Sequence, residues 1–228
     1  FLEKPSRQRY QEDSMKIVGH RGASKDAPEN TLESMKLAWE QGAYAAECDI
    51  VRTHDGKLVL MHDDSTKRTE RDGVDLLVEH TDWIDLRKLD VGSWKGEKWK
   101  GVKIPLLEDV LRAIPDGKHL YIEVKSGGTN RGADPRVIDD LEKLVKNEKI
   151  SPEKITFICF DHVFLNMLKK RLPRYNAYYL TSFVEFPGAW PDVRNEEELE
   201  LYIRKALKNG IDGLDLEIIK SLDFKKWR

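Results

Sequence analysis

Acidic and imidazole side chains come together between Ala45 and Asp64. Glu47 and Asp49 stand two apart in an apolar run typical of a β-strand, so both carboxylates lie on one face of it. His62 follows the next apolar run. Two neighbouring carboxylates repel each other and are costly to bury unless a cation accompanies them. Because hard oxygen ligands suit Mg²⁺ or Ca²⁺, the pair predicts a metal site, with solvated acids at an exposed strand end as an equal alternative.

The dipeptide Asp55-Gly56 between these two apolar runs is a strong signal for a β-hairpin. If these two residues are the central residues of the turn, Thr53 faces Leu58 across the hairpin and Asp49 faces His62. The hairpin is therefore expected to place one imidazole directly beside the two carboxylates.

Further charged residues come at the ends of two other predicted strands. His20 and Arg21 follow the first strand, and Glu123 and Lys125 share one face of the third. In neighbouring strands, the three carboxylates can hold a metal ion, and the two cations can hold an anion. Two imidazoles offer an acid and a base near neutral pH. This combination favours phosphoryl transfer over carbonyl chemistry. By contrast, His54 and His80 are expected at the surface, and His119 in a structural role.

The elements that must position these groups alternate between strand and helix. This alternation predicts an α/β fold, either a (β/α) barrel or a doubly wound sheet. No G-x-G-x-x-G turn is present, which makes dinucleotide binding the weaker interpretation. Strands are predicted at 16–19, around Glu47 and Asp49, and at 119–126, 154–160, 176–183 and 211–217. Helices are predicted after Asn30 or Thr31 as far as Gly42, and at 105–114, 135–148, 163–172 and 196–209.

A barrel requires eight strands, whereas the sequence predicts six. Either the barrel is wrong or the chain stops before the natural C-terminus. We favour the second, and expect the last two strands to be absent from the chain.

The bulk properties are those of an ordinary globular protein. The 228 residues carry a net charge of −2, which argues against a broad nucleic-acid surface. No segment is long and apolar enough to span a bilayer, so no stable membrane insertion is expected. The chain begins at Phe1 rather than Met, so we expect that its natural N-terminus has been trimmed. The sequence does not distinguish an exported or periplasmic location from a cytoplasmic one, and it leaves the oligomeric state unknown.

An ordered set of motifs resembles the glycerophosphodiester phosphodiesterase family, whose members are phospholipase C-like TIM barrels. The motifs are HRG at 20–22, PENT at 28–31, ECD at 47–49, THDGKLVLMHD at 53–63, RT at 68–69, IPLLEDVL at 104–111 and IEVK at 122–125. The resemblance implies a TIM (β/α)8 barrel over 15–228 with a small insertion after strand two. We place the insertion at 54–102, packed by its own aromatic residues, and interpret 1–14 as an N-terminal extension on the surface.

The family's roles carry over to matching positions. The resemblance implies one divalent metal ion, Mg²⁺ or Ca²⁺, held by Glu47, Asp49 and Glu123. It implies His20 and His62 as the acid and base, in an order that the sequence leaves open. It also implies that phosphate is bound by Arg21 and Lys125, and that Glu29 and Asn30 support the site.

The implied reaction is hydrolysis of a small-molecule glycerophosphodiester to glycerol 3-phosphate and an alcohol, a step of lipid and glycerol metabolism. Two alternatives remain open. One is a related phospholipase that acts on intact lipid, like sphingomyelinase D or the phosphoinositide-specific enzymes. The other is a non-catalytic domain that binds phosphodiesters.

Overall fold

The computed structural model describes residues 15–125, 132–183, 192–193 and 196–218. The predicted extension at 1–14 lies outside the described residues. The strands are β1 (Val18–Gly19), β2 (Ala45–Arg52), β3 (Leu58–Leu60), β4 (His119–Val124), β5 (Ile155–Cys159), β6 (Asn176–Phe183), β7 (Asp192–Val193) and β8 (Gly213–Ile218). The helices are α1 (Leu32–Glu40), α2 (Trp83–Leu86), α3 (Leu107–Ala113), α4 (Arg136–Asn147), α5 (His162–Arg171) and α6 (Glu196–Lys208). Short 3₁₀ turns lie at Thr66–Arg68, Val78–His80, Ser93–Lys95, Glu97–Trp99 and Pro152–Lys154.

Six strands of the described chain form one parallel sheet in the order β1, β2, β4, β5, β6, β8. β7 makes a short parallel pairing with the end of β6, and β3 runs antiparallel to β2. The prediction that the first three predicted strands (β1, β2 and β4) are neighbours is confirmed. The sheet corresponds to six of the eight strands of a TIM (β/α)8 barrel, and the described residues do not test the prediction about the last two strands. No helix in the described residues is both long enough and apolar enough to cross a membrane.

Side-chain alternation gives this sheet two different faces. Cys48 and Ile50 on β2, like Ile122 on β4, are buried in a core shared with the helices. The residues between them, Glu47 and Asp49, point to the opposite face, which we call the inner face. The apolar positions of each strand thus fix which side is covered by helices, and the charged positions are left to the inner side.

The start of α1 follows from local hydrogen bonding. Thr31 is the N-cap: its hydroxyl accepts from the Ser34 N–H, and the Ser34 hydroxyl accepts from the Thr31 N–H, each at 3.2 Å. This reciprocal pair satisfies two donors that a helix start otherwise leaves unpaired. Since Thr31 provides the cap, the side chain of Asn30 is free to make other contacts.

The hairpin between β2 and β3 is shifted by one residue from its predicted register. Arg52 pairs with Leu58, and the Thr53 N–H donates to the Lys57 carbonyl at 2.8 Å. The loop therefore contains three residues, of which only Gly56 has a positive φ, of 79°. A two-residue type I′ turn needs positive φ at both central positions, so the longer loop forms instead. The prediction that Thr53 faces Leu58 is wrong.

The same shift changes the partner of the second carboxylate. Met61 lies opposite Asp49, and its N–H donates to the Asp49 carbonyl at 3.1 Å. The prediction that His62 directly faces Asp49 is therefore wrong, because His62 lies one residue further along the chain. It remains next to the residue that pairs with Asp49.

The predicted insertion packs around a small cluster of its own. We expected aromatic residues to form it, but its buried members are aliphatic or methionine. Among the tryptophans of this segment, Trp83 is the one that packs against the cluster, at its partly buried edge. The buried members are Val59, Met61, Val78, Leu86, Val91 and Ile104.

Candidate active site

Three carboxylates lie together on the inner face of the sheet. Asp49 on β2 pairs in register with Glu123 on β4, and Glu47 precedes Asp49 by two residues. One ligand oxygen from each side chain lies within 4.8 Å of the other two. The residues are buried, with exposed fractions of 5% for Glu47, 0% for Asp49 and 8% for Glu123. The alternative of solvated acids at an exposed strand end is therefore wrong.

This burial makes the carboxylates hard to ionise together. Burial, followed by the charge of Asp49, raises the pKa of Glu47 well above its usual value. The same two causes raise the pKa of Glu123 to about 7. Negative charges so close together, with little water to screen them, each make ionisation of the others more costly. Additional positive charge inside the cluster would lower both pKa values.

Two cations partly compensate for this charge. Lys125 donates from Nζ to Glu123 Oε1 at 2.7 Å, and the same Nζ lies 3.5 Å from Asp49 Oδ1. Burial opposes the charged form of Lys125, but the charges of Glu123 and Asp49 outweigh burial and raise its pKa. Arg21 Nε lies 3.3 Å from Asp49 Oδ2. Two positive charges against three carboxylates leave a negative excess.

Two carboxylate oxygens in this cluster have no hydrogen-bond donor. Glu47 Oε1 and Asp49 Oδ1 are buried and accept no hydrogen bond in the described residues, although Lys125 Nζ lies 3.5 Å from Asp49 Oδ1. Buried acceptors are normally satisfied, and leaving one unpaired costs about 1–3 kcal/mol. A divalent cation would satisfy both oxygens and would offset the excess charge. The donor set of Glu47, Asp49 and Glu123 therefore fits a hard cation such as Mg²⁺ or Ca²⁺.

A tight turn after β1 brings Arg21 to this cluster. Arg21 and Gly22 have φ values of 56° and 77°, in the left-handed region. The Arg21 N–H donates to Glu47 Oε2 at 2.8 Å, and the Gly22 N–H donates to the Glu47 carbonyl at 3.1 Å. The Arg21 carbonyl accepts from the Ser34 hydroxyl at 3.1 Å. These contacts hold Arg21 in a conformation that is unfavourable for a residue with a side chain.

The two candidate histidines reach β2 from loops that follow β1 and β3. Two residues after His20, the Gly22 N–H donates to the Glu47 carbonyl; immediately before His62, the Met61 N–H donates to the Asp49 carbonyl. Since residues 47 and 49 direct their carbonyls to the same side of the strand, both loops approach the same edge of β2. The structure thus brings the two histidine-bearing loops to the same edge of the strand that carries Glu47 and Asp49.

His20 borders the cluster and is open to solvent. Its Nε2 lies 3.9 Å from Glu47 Oε2, and 70% of its side chain is exposed. Partial burial, followed by the charge of Arg21, lowers the pKa of His20, and the charge of His62 acts in the same direction. Water weakens these effects because the ring is mostly exposed. An exposed imidazole beside the carboxylates is accessible to a substrate.

His62 is held by its neighbour in the chain. Its Nδ1 lies 2.7 Å from Asp63 Oδ1. Hydrogen bonds lower the pKa of Asp63 to about 2 despite partial burial, and the bond from Arg68 contributes more than the one from His62. Asp63 is therefore ionised at neutral pH, and its carboxylate accepts a hydrogen bond from the Nδ1–H of His62. The sequence predicted a role for His62 but none for Asp63 or Arg68. The RT motif at 68–69 was the signal that could have pointed to Arg68.

The two PENT residues also contact the cluster directly. Asn30 donates from Nδ2 to Asp49 Oδ2 at 2.8 Å, and its Oδ1 accepts from the Asp49 N–H at 3.0 Å. Glu29 Oε1 accepts from Arg21 Nη1 at 3.0 Å. The expectation that these residues support the site is consistent with contacts to a carboxylate and to a cation of the cluster.

The remaining predicted histidines lie where they were expected. His54 and His80 are exposed, with 69% and 66% of their side chains accessible. His119 is buried; its Nδ1 lies 2.9 Å from the Glu153 carbonyl and its Nε2 lies 3.0 Å from Thr156 Oγ1. Both of its ring nitrogens are occupied, which fits a structural role.

An open pocket of about 410 Å³ adjoins the cluster. Its wall includes His20 and Glu47, and its other side is formed by residues of β4, β6 and β8. Burial raises the pKa of Asp215, one of the residues of β8. The full lining is Val18, His20, Glu47, Tyr121, Tyr178, Leu214, Asp215 and Leu216.

Residues 20–192 match the model of the glycerophosphoryl diester phosphodiesterase family. A glycerophosphodiester phosphodiesterase of Caldanaerobacter subterraneus subsp. tengcongensis is 37% identical over 158 residues, which cover 69% of this chain and 63% of that protein. One of Bacillus subtilis is 38% identical over 139 residues, which cover 58% of this chain and 47% of that protein. The matches thus span less than two thirds of these relatives' lengths.

Solved structures share the fold. A phosphodiesterase of Oleispira antarctica, in complex with the product sn-glycerol-3-phosphate, superposes with a TM-score of 0.71 at 29% identity, covering 89% of this chain and 74% of that one. A glycerophosphodiester phosphodiesterase of Galdieria sulphuraria, described as putative, superposes with a TM-score of 0.69 at 27% identity, covering 88% of this chain and 74% of that one. Both likenesses cover nearly nine tenths of this chain.

Proposed function

The chain belongs to the glycerophosphoryl diester phosphodiesterase family, and on this basis we propose that it hydrolyses glycerophosphodiesters to sn-glycerol 3-phosphate and an alcohol. The observation that carries the proposal is the pair of buried oxygens on Glu47 and Asp49 that accept no hydrogen bond, in a carboxylate cluster that His20 borders. The product bound in the Oleispira antarctica structure supports the choice of substrate class.

We assign the cation site to Glu47, Asp49 and Glu123. A divalent ion held there, Mg²⁺ or Ca²⁺, would withdraw charge from the phosphoryl oxygens and lower the pKa of an attacking hydroxyl or water. Arg21 and Lys125 add positive charge at the same place, because both contact the carboxylates. A phosphodiester anion would otherwise be repelled by this acidic cluster.

His20 and His62 perform the proton transfers in this proposal. One imidazole takes a proton from the attacking oxygen as its bond to phosphorus forms. The other gives a proton to the alcohol oxygen as its bond to phosphorus breaks, so charge does not accumulate on the leaving group. The positions of both histidines at one edge of β2 support this division, whichever of the two acts first.

The test uses purified protein and glycerophosphocholine, with product release measured after treatment with EDTA and after addition of Mg²⁺ or Ca²⁺. We expect glycerol 3-phosphate to be released, release to stop with EDTA, and activity to return with one of the two metals. The matched variants are Glu123→Gln at the cation site and Glu97→Gln, whose side chain is 86% exposed. Only the first is expected to abolish turnover.

Three other outcomes would overturn the proposal. Turnover of intact lipid vesicles without turnover of glycerophosphocholine would indicate a phospholipase. Binding of glycerophosphocholine without product would indicate a non-catalytic binding domain. Full activity in EDTA, with no metal found in the protein, would remove the carboxylate cluster from the chemistry.

A further inference from the structure

Arg68 bridges two carboxylates that come from different loops. Its Nε donates to Asp63 Oδ2 at 2.7 Å, and its Nη2 reaches Asp63 Oδ1 at 3.1 Å. On the other side, its Nη1 donates to Glu29 Oε2 at 2.9 Å and its Nη2 to Glu29 Oε1 at 2.7 Å. A planar guanidinium can make two such paired contacts at once, whereas an ammonium group cannot.

Each of these carboxylates also contacts a predicted site residue. Asp63 Oδ1 lies 2.7 Å from His62 Nδ1, and Glu29 Oε1 accepts from Arg21 Nη1 at 3.0 Å. A continuous chain of hydrogen-bonded groups therefore runs from His62 through Asp63, Arg68 and Glu29 to Arg21. Exposed ion pairs alone contribute little, but a network with paired, two-point contacts fixes geometry more firmly.

The contact to Asp63 determines which nitrogen of His62 faces away from the loop. An ionised carboxylate has only acceptor oxygens, so Nδ1 must carry the proton that fills the 2.7 Å contact. In the neutral ring, Nε2 is then the free acceptor. Only this tautomer allows Nε2 to accept a proton, and after protonation the same atom can donate one.

We propose that Arg68 is a positioning residue, which holds Asp63 against His62 and thereby fixes the tautomer and direction of the imidazole relative to the Arg21 side of the site. The proposal rests on the proposed function for its kinetic consequence. Its structural consequence, the state of the His62 ring, does not depend on turnover. Within the described residues, the hydrogen bonds and ion pairs of Arg68 go to Asp63 and Glu29 rather than to the three cation-site carboxylates, so its effect on metal binding is expected to be small.

The first measurement is ¹⁵N NMR of the imidazole nitrogens in the full chain, without substrate, at a pH where His62 is neutral. His62→Gln identifies the His62 signals. In the wild type we expect Nδ1 to be protonated and Nε2 unprotonated. In Arg68→Ala we expect the two ¹⁵N shifts to move toward each other, because both tautomers become populated. Arg71→Ala is the matched control, since Arg71 is exposed and donates to the Ser93 carbonyl.

The second measurement is kinetic. Arg68→Ala is expected to lower kcat by about 10–100-fold, the range found when a supporting partner is removed from a functional side chain, with KM changed by less than about threefold. The kcat of Arg68→Lys should lie between those of the wild type and Arg68→Ala, because lysine keeps the charge and loses the paired contacts. In an Asp63→Asn background, Arg68→Ala should lower kcat by less than about threefold, because its route to His62 is already broken.

Unchanged ¹⁵N shifts of His62 in Arg68→Ala would overturn the proposal, whether or not kcat falls. Equal losses of kcat in the wild-type and Asp63→Asn backgrounds would overturn it as well. If Arg68→Ala does not fold, Arg68→Lys is used in both measurements, with the same criteria. If the wild-type protein shows no turnover, the proposed function fails and the ¹⁵N measurement alone decides the role of Arg68.

Discussion

Asn30 holds Asp49 at two points: its Nδ2 donates to Asp49 Oδ2 at 2.8 Å, and its Oδ1 accepts from the Asp49 N–H at 3.0 Å. The residue has φ 54°, in the left-handed region that asparagine tolerates better than most residues. Both its backbone and its side chain are therefore suited to this contact. It leaves Asp49 Oδ1 without a hydrogen bond, 3.5 Å from Lys125 Nζ.

Asn30→Gly should weaken divalent-metal binding by about 10–100-fold, because Asp49 loses the partner that orients it. Glycine is preferable to alanine here, since it adopts positive φ without strain and so isolates the side-chain contacts. Isothermal titration calorimetry with Mg²⁺ and Ca²⁺ measures the effect. Asn147→Ala, on an exposed surface at the end of α4, should bind metal like the wild type. Wild-type affinity in Asn30→Gly would contradict the prediction.

Glu123→Gln should abolish most of the stabilisation that a bound metal gives. A ligand that binds only the folded state raises the free energy of unfolding by an amount that grows with its concentration relative to Kd. The measurement is thermal unfolding without metal and with metal at about 5–10 times the Kd of the wild type. We expect a clear rise in Tm for the wild type and for Glu97→Gln. A rise of the same size in Glu123→Gln would show that this carboxylate is not a ligand.

His62→Ala should lower kcat by about 10²–10⁴-fold, the usual loss when an acid or base is removed. The substitution takes away the imidazole near the edge of β2 and leaves the carboxylates in place. Steady-state kinetics with glycerophosphocholine provides the test. His54→Ala is the matched control, because its ring is 69% exposed and pairs with Asp82. A variant that retains a near-normal rate would exclude His62 from the mechanism.

Asp63→Asn should destabilise the protein in a pH-dependent manner. The lowered pKa of Asp63, about 2, contributes stability that is present above its unfolded value of 3.8 and is lost as pH falls through the folded value. Because 31% of the Asp63 side chain is exposed, water weakens this effect. We expect the free energy of unfolding of Asp63→Asn to be lower than that of the wild type by about 1 kcal/mol at pH 7 and by roughly half as much at pH 3.

Urea unfolding of the wild type and of Asp63→Asn across this pH range measures the difference. Asp116→Asn, whose side chain is fully exposed, should change stability by less than about 0.5 kcal/mol at either pH. If the difference in free energy of unfolding between the wild type and Asp63→Asn is the same at every pH, the charge of Asp63 is not the cause of that difference.

Gly22→Ala should destabilise the fold by about 2–4 kcal/mol. An added Cβ would lie 2.5 Å from atoms of Ser34, at a φ of 77° that side chains rarely adopt. Gly73 has a similar φ of 82° but nothing within 4 Å, so Gly73→Ala measures the conformational cost alone, about 1 kcal/mol. Chemical denaturation separates the two contributions. Equal losses in both variants would mean that Ser34 moves aside without cost.

The sequence alone determined the order and type of most elements, because apolar periodicity is a local property of the chain. The predicted strand at 176–183 coincides with β6, and the predicted helix at 135–148 differs from α4 by one residue at each end. Alternation also fixed which face of β2 carries Glu47 and Asp49, since a strand repeats every two residues. β7 was not predicted, because two residues give no periodicity.

The tertiary structure decided what depends on distance across the fold. The hairpin register depended on whether the turn has two or three residues, and the structure shows a three-residue loop in which Gly56 alone has a positive φ. Asn30 contacts Asp49, 19 residues away, and Arg68 contacts Glu29, 39 residues away, so no local pattern could reveal these two contacts. Burial of the three carboxylates, on which the proposed cation site depends, follows only once β2 and β4 lie side by side, because packing against neighbours rather than residue type excludes water.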